Sequence, residues 1–559
     1  MDPPMRSDRA LPDDFTLLLL DAFHMEAAEL GSAKLALDLL KQRRFQLAAG
    51  AFDELSSRHS AAVWLWICAG YCHVAADNLE DALHLLQTAV HRDPQAGLAH
   101  YCLGLAWFKN GDKDLARNSF STARRLLPDL AVTALYEAAV SFELNEFSES
   151  LELLQELRQK YPRDPDVLNQ LGLVLVRGFG RAGEALELFR EAMRLTNGDS
   201  IRFRSNEALA LRCLGKYAES IDIYDELISL ADDAYLRWQR GLAILTAGKF
   251  GSGWDDYGDR WILGESRQHS FDFEDWSPPP FPGETILVLS EQGIGDQILF
   301  SSCLPDLIAQ TRREDCQIVL ECNAKLASLF RRSFPAAKIV SRNPDDDSAL
   351  KQAVLGTRCR QIFMGDLPRL YRRGATDFQG VRSFLQADAE RVKFWRTKLS
   401  KLGGGVKIGI SWRGGLAGTN ASLRTVDLDQ WLPILRRSDC HFVSLQYGDS
   451  RADIGAMEKY GLKINSWPEA IANYDETAAL TESLDVIVSV CTSLVHLAGA
   501  LGKPAAVLVP VIPEWVFGGA DDTMPWYPSV TLFRQIELGD WGDPVRRVAA
   551  RLPILLGHE

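Results

Sequence analysis

The chain has 559 residues and a net charge of −14; nearly half of its residues are hydrophobic and about a quarter are charged. It can bury a sizeable core and is long enough for three or four domains, while its acidity excludes a nucleic-acid surface, which needs a concentrated basic face. No apolar run reaches the length of a membrane span, and the ten cysteines show neither Cys-x-x-Cys pairs nor companion histidines at zinc spacing, so no metal and a reduced, cytoplasmic setting are expected.

The amino terminus, Met1 to Asp14, is polar, and Leu17–Leu20 is far too short for a secretory h-region. Beyond it the chain repeats. Pro94, Pro128 and Pro162 recur every 34 residues, and the same interval separates Ala48, Ala82 and Ala116, Gly70 and Gly104, and Ala89 and Ala123. This period, with small residues where two helices touch and proline closing the second helix, resembles the tetratricopeptide repeat. Ala61–Pro94 matches through Trp66, Gly70, Ala82, Ala89 and Pro94; Gly97–Pro128 matches through Gly104, Ala116, Phe120, Ala123 and Pro128. Ala131–Pro162 is degenerate, with Ala138 for Gly and Ser150 for Ala. The next unit (Gly172, Ala185, Phe189, Ala192) carries a one-residue shift, expected in the Arg177–Gly183 turn, and weaker units run through Ala218 and Gly241. Cys68 and Cys72, one helical turn apart, read as core. Such helix pairs stack because none buries its apolar face alone. Residues 1–265 are therefore assigned to a superhelix whose concave groove takes a protein segment. The plainer reading is an array that only spaces or dimerises the chain.

Trp254, Tyr257 and Trp261 depart from the repeat at helical spacing and are expected to pack the last unit on the next domain. The prolines of Trp276-Ser-Pro-Pro-Pro-Phe-Pro-Gly stop any helix, so 266–283 is assigned as a linker.

From Thr285 short β-branched runs alternate with helical patterns. Ile286–Leu289, Gln317–Leu320, Lys338–Val340 and Gln361–Met364 make 284–402 a parallel α/β domain, closed by amphipathic Val381–Leu402 and a Gly403–Gly405 link. Val406–Ser411, Phe442–Gln446, Asp485–Val490, Ala505–Val509 and Val530–Phe533 make 403–559 a second one. The last helical pattern, Asp543–Leu556, is expected to return onto the first sheet. Each half opens with a strand running into a glycine turn, and in open α/β sheets ligands sit beyond the carboxyl ends of strands. Gly293 and Gly295 are thus expected to let backbone approach a ligand. Asp296 falls at a helix start, where its plain role is an N-cap.

Motifs keep their order along the second half: Glu291-Gln-Gly-Ile-Gly-Asp, Gly409-Ile-Ser-Trp-Arg-Gly, Phe442-Val-Ser-Leu-Gln, Thr492-Ser-Leu-Val-His-Leu-Ala-Gly-Ala-Leu-Gly-Lys-Pro, Pro525-Trp-Tyr-Pro, Leu532-Phe-Arg-Gln and Gly539-Asp-Trp. With the repeats, they resemble a bacterial family that joins tetratricopeptide repeats to a transferase domain similar to lipopolysaccharide heptosyltransferases. That family resembles the protein O-GlcNAc transferases in architecture, and some members glycosylate flagellin. The resemblance implies an α-helical solenoid followed by a GT-B fold, two Rossmann-like domains facing a cleft. The acceptor side would be 284–402 and the donor side 403–559. It implies metal-independent, inverting transfer from a nucleotide sugar, without a cofactor, to Ser or Thr hydroxyls of a protein held by the repeats, flagellin being the named candidate.

Phosphate recognition needs helix-start N–H groups or a cation. Thr492 and Ser493 open a helix after a buried strand and are assigned to the donor in preference to simple capping. His496, one turn on, joins them through the family motif, with packing as the alternative. Arg413 is the expected diphosphate clamp, because its forked guanidinium suits phosphate oxygens. Ser411 shares its turn, Gln446 ends a strand at the cleft and is assigned to base or ribose, and Thr477 opens the next helix beside Asp475, read as an N-cap. Asp296 matches the position of the proposed base in heptosyltransferases, where a carboxylate facing the acceptor takes the hydroxyl proton. One position departs from the family: relatives carry Asp in a Val-Asp-Thr string where this chain has Cys491, and a thiol cannot accept hydrogen bonds as a carboxylate does. Beside the protein glycosyltransferase stand two alternatives. One acts on a saccharide or lipid-linked acceptor, for which a long peptide-binding array is superfluous; the other is an adaptor whose transferase fold has lost turnover.

Overall fold

A computed structural model of the chain describes residues 19, 22–23, 33–196, 201–263, 271–343, 346–379, 383–415, 421–519 and 521–556. The readings of Met1–Asp14, of the linker's first five residues and of Val381 lie outside the described residues. The chain forms two compact units. The first holds the described residues up to 203 except 180–183; the second holds 180–183 and those from 204 onward.

The first unit is a helical solenoid of tetratricopeptide repeats. Its helix pairs include Val63–Ala75 with Leu79–Arg92, Gly97–Asn110 with Lys113–Leu126, and Ala131–Glu143 with Phe147–Lys160. The repeat glycines are contact points: a Cβ on Gly104 would lie 2.7 Å from Phe120 Cε1, and one on Gly172 would lie 2.5 Å from Phe189 Cε1. In the degenerate repeat, where Ala138 takes the glycine's place, the Ser150 hydroxyl instead donates to the Ala138 carbonyl at 2.7 Å. The shifted repeat takes up its extra residue in the helix before the turn: Pro165–Phe179 runs 15 residues where Gly97–Asn110 runs 14. Cys68, Cys72 and Cys102 are buried core.

The second unit takes in most of the helix Ile201–Cys213 and continues with helices Tyr217–Leu230, Ala234–Thr246 and Phe250–Tyr257 and the turn Gly258–Trp261. Two sheets come next. Strands β1 (Glu274–Asp275), β2 (Thr285–Leu289), β3 (Gln317–Cys322), β4 (Ala337–Ser341) and β5 (Cys359–Phe363) form the first, in the order β1-β5-β2-β3-β4 and wholly parallel. Strands β6 (Val406–Ser411), β7 (Cys440–Ser444), β8 (Ile464–Ser466), β9 (Val486–Val490), β10 (Ala505–Val509), β11 (Thr523–Met524) and β12 (Tyr527–Arg534) form the second. Its order is β11-β12-β10-β9-β6-β7-β8, with only β11 antiparallel. Read as β8-β7-β6-β9-β10-β12, this is the doubly wound α/β order, and it reverses between β6 and β9. In the first sheet the reversal falls between β2 and β5. Every residue of β2, β9 and β10 is buried, as strands covered on both faces must be.

Three helices carry the turns of interest: α1 (Ile294–Ser301), α2 (Tyr474–Ser483) and α3 (Ser493–Ala500). The terminal helix Gly542–Leu555 corrects the sequence reading. Its Val545, Val548 and Leu552 share one core with Ile408, Ile410, Val488 and Leu508, so it covers the second sheet and not the first. That sheet's outer face would otherwise leave an apolar surface in water.

Candidate functional site

At the end of β2 the chain passes through buried Glu291 and then Gln292, which takes a left-handed φ of +56°. Gly293 stands next, at the head of α1, and its N–H donates to Asp296 Oδ2 at 3.0 Å. Asp296 therefore caps its own turn. Its half-buried carboxyl is pushed up to about 6, first by burial and then by the negative charge of Glu514, against the lowering effect of the Gly293 N–H. Such a carboxylate is ionised at neutral pH and a stronger base than an ordinary one.

At the end of β9 the Cys491 thiol is buried and donates to the Leu508 carbonyl at 3.6 Å. Thr492 stands at the N-cap of α3 with extended backbone but makes no side-chain capping bond; its hydroxyl lies 3.4 Å from Ser489 Oγ. Capping thus does not explain it. The two helix starts meet at Gly295, where a Cβ would lie 3.1 Å from His496 Cδ2 and 3.5 Å from the Ser493 Cα. The glycine expected to admit a ligand admits the neighbouring helix. Gly293 is exposed. His496 is buried, with Nδ1 3.3 Å from Tyr527 Oη, and burial pulls its imidazole down to about 4. It is neutral at physiological pH and offers no cation.

The turn after β6 is organised by Gln446. Its Oε1 accepts from the Trp412 and Arg413 N–H groups, each at 2.9 Å, and from Ser411 Oγ at 3.2 Å, while Nε2 donates to the Tyr447 carbonyl at 3.1 Å. With these partners the side chain shapes the turn and is not turned outward to a base or ribose. The Arg413 guanidinium donates to the Asp449 carbonyl at 2.5 Å and pairs with Asp453 at 3.3 Å. Thr477 donates to the Ala470 carbonyl at 2.6 Å. Asp475 is no N-cap: Asn473 caps α2, accepting from the Asp475 N–H at 3.0 Å. The Asp475 carboxylate instead grips Arg332 of the first sheet's helical layer at 2.8–3.0 Å. Arg424 and Glu514 escaped the sequence reading. Arg424, only 8% exposed, donates to the Cys491 carbonyl at 2.9 Å, just before α3, and pairs with Glu514 at 3.1 Å. Arg424 ends the short 3-10 turn Ala421–Arg424 and Glu514 stands in the loop after β10, and neither falls within a motif that the sequence offers.

Fold and site define a tetratricopeptide-repeat protein whose second half carries parallel α/β sheets. The tetratricopeptide repeat model matches residues 69–131 and 132–200. Protein FlbA of Caulobacter vibrioides is 28% identical over 531 residues, covering 86% of this chain and 87% of that protein, so this relationship spans both halves. The anaphase-promoting complex subunit cut9 of Schizosaccharomyces pombe is 23% identical over 225 residues, 39% of this chain and 32% of that protein. Among solved structures, the APC/C hetero-tetramer Cut9–Hcn1 overlaps 45% of this chain and 52% of its own at 19% identity and a TM-score of 0.37. No described helix is long and apolar enough to cross a membrane.

Proposed function

We propose that this chain is a GT-B glycosyltransferase that moves a sugar from a nucleotide-sugar donor to Ser or Thr hydroxyls of a protein recruited by its repeats, with flagellin the acceptor the family resemblance suggests. One observation carries the reading: Asp296, raised to about 6, stands where the starts of α1 and α3 meet at Gly295 and His496. In this scheme Asp296 takes the acceptor hydroxyl proton. The hydroxyl oxygen bonds to the anomeric carbon as the bond to the donor phosphate oxygen breaks, inverting that carbon. The departing phosphate keeps the electron pair and is received by the α3 amides, with Thr492 and Ser493, and by Arg424 beside the Cys491 carbonyl. Arg413 serves only after exchanging Asp453 for phosphate, so it is the secondary cation; Ser411, Gln446 and Thr477 hold the turns in place. Intact-mass analysis of candidate acceptors incubated with the purified full chain and nucleotide sugars is the test. A mass gain lost in Asp296→Asn supports the reading; no transfer and no donor hydrolysis with any nucleotide sugar sinks it.

A second reading, the repeat adaptor with an idle transferase fold, draws on the buried Cys491 thiol and on Arg413 held by Asp453. Donor binding by calorimetry with neither hydrolysis nor transfer would favour it.

A further inference from the structure

The last helical segment before the sheets, Phe250 to Trp261, reaches into the turns after β2 and β5 and into the loop after β10. Trp254 Nε1 donates to the Arg372 carbonyl at 2.8 Å, and its ring packs 5.4 Å from that of Trp515. The Tyr257 ring lies 5.6 Å from the Trp515 ring, next to Glu514. Arg260 is fully buried; its Nε and Nη2 donate to the Glu291 carboxylate at 2.9 and 2.8 Å, and Nη1 pairs with Asp366 at 2.8 Å. Glu291 Oε1 also accepts the Gly365 N–H at 2.6 Å.

Three successive residues of the turn are thus anchored in three different ways. Arg260 holds Glu291, and Gly293 is held by Asp296. Between them Gln292 is exposed and left-handed, a conformation that favours glycine or asparagine. No packing explains a glutamine there. Its amide does: Nε2 donates to Tyr257 Oη at 3.0 Å.

We propose that Tyr257 is a positioning residue for Asp296, accepting the Gln292 amide and so fixing the left-handed turn from which Gly293 and Asp296 take their places. The end of the helical array, and not the α/β fold alone, then sets the reacting carboxylate. The catalytic consequence rests on the transferase reading; the structural one does not.

The test is Tyr257→Phe in the full chain, which removes one oxygen and keeps the buried ring. Hydrogen exchange at the Gly293 amide, which Asp296 holds, should quicken about two- to tenfold, the factor for one ordinary hydrogen bond, with β2 and β9 unchanged. Turnover should fall roughly ten- to a hundredfold through misplacement of the base, at unchanged KM for the donor. Gln292→Gly tolerates the left-handed turn but removes the amide, so it should give the same loss, and the double variant should be no worse than either. Unchanged exchange in Tyr257→Phe, or losses that add in the double variant, would overturn the proposal. A wild-type chain that transfers no sugar would end the transferase reading while the exchange measurement still decides whether Tyr257 holds the turn.

Discussion

Asp296 caps the turn ahead of its helix and also holds a proton more tightly than a free carboxyl, and substitution separates the two effects. Because its folded pKa, about 6, lies above the ordinary 3.8, its contribution to stability is complete below about pH 4 and is lost as pH rises through 6. Asn at 296 keeps an acceptor for the Gly293 N–H and carries no charge. Asp296→Asn should therefore melt at or above the wild-type temperature at pH 8, with the gain vanishing near pH 4, while turnover falls about a hundredfold or more. In the wild type, kcat/KM should fall below pH 6 as the base is protonated. A variant that melts well below wild type at pH 8, yet transfers normally, would leave Asp296 a cap only. The two arginines give a second test. Arg424→Ala should weaken donor binding by about 1.5–3 kcal/mol, the worth of a charge-assisted hydrogen bond, and Arg413→Ala by less; the reverse order in calorimetry would return the clamp to Arg413. The position of Asp296 was legible because strand, glycine turn and helix succeed one another in the sequence. The reach of Arg424 to Cys491 was not, because 67 residues separate them and no local pattern encodes the pairing.

At the scale of elements, helix α3 is fixed by what its glycine lacks. A Cβ on Gly499 would collide with the Tyr527 ring of β12, whereas one on Gly455, in the helix Arg451–Met457, would meet nothing within 4 Å. Gly499→Ala should cost about 1–3 kcal/mol by overpacking. Gly455→Ala should be neutral or gain up to about 1 kcal/mol from helix propensity. Urea unfolding of both checks the contrast, and equal effects would mean α3 can slide off β12 at no cost. The central strands were legible as short, mainly apolar runs containing β-branched residues. Strands β8 and β11, three and two residues long, were too short to show a period. The terminal helix was read to within one residue at each end but onto the wrong sheet, since an apolar stripe says that a face is covered and not which one.

At the scale of the whole molecule, composition and compactness divide the chain at different places. The proline-rich stretch after Trp276 marks a change of pattern, and the 34-residue period is plain in the sequence; yet helices from 204 onward belong to the same compact unit as the sheets. The reason is tertiary: Trp254, Tyr257 and Arg260 are buried among groups from β2, β5 and the loop after β10. The aromatic spacing announced that packing without naming its partners. A fragment 204–559 should therefore unfold cooperatively, whereas 284–559 should not. The shorter piece loses Arg260 and leaves Glu291 buried without its cation, and breaking a buried pair in this way costs about 3–5 kcal/mol. Exposure of the Trp515 and Trp526 faces that now meet Trp254 adds to the loss. Against a typical stability of about 5–15 kcal/mol, that is enough to melt the shorter piece or leave it without fixed packing. Near-ultraviolet circular dichroism and thermal unfolding of the two fragments decide the matter: a sharp transition at the same temperature in both would show that the sheets need nothing from the helices before them.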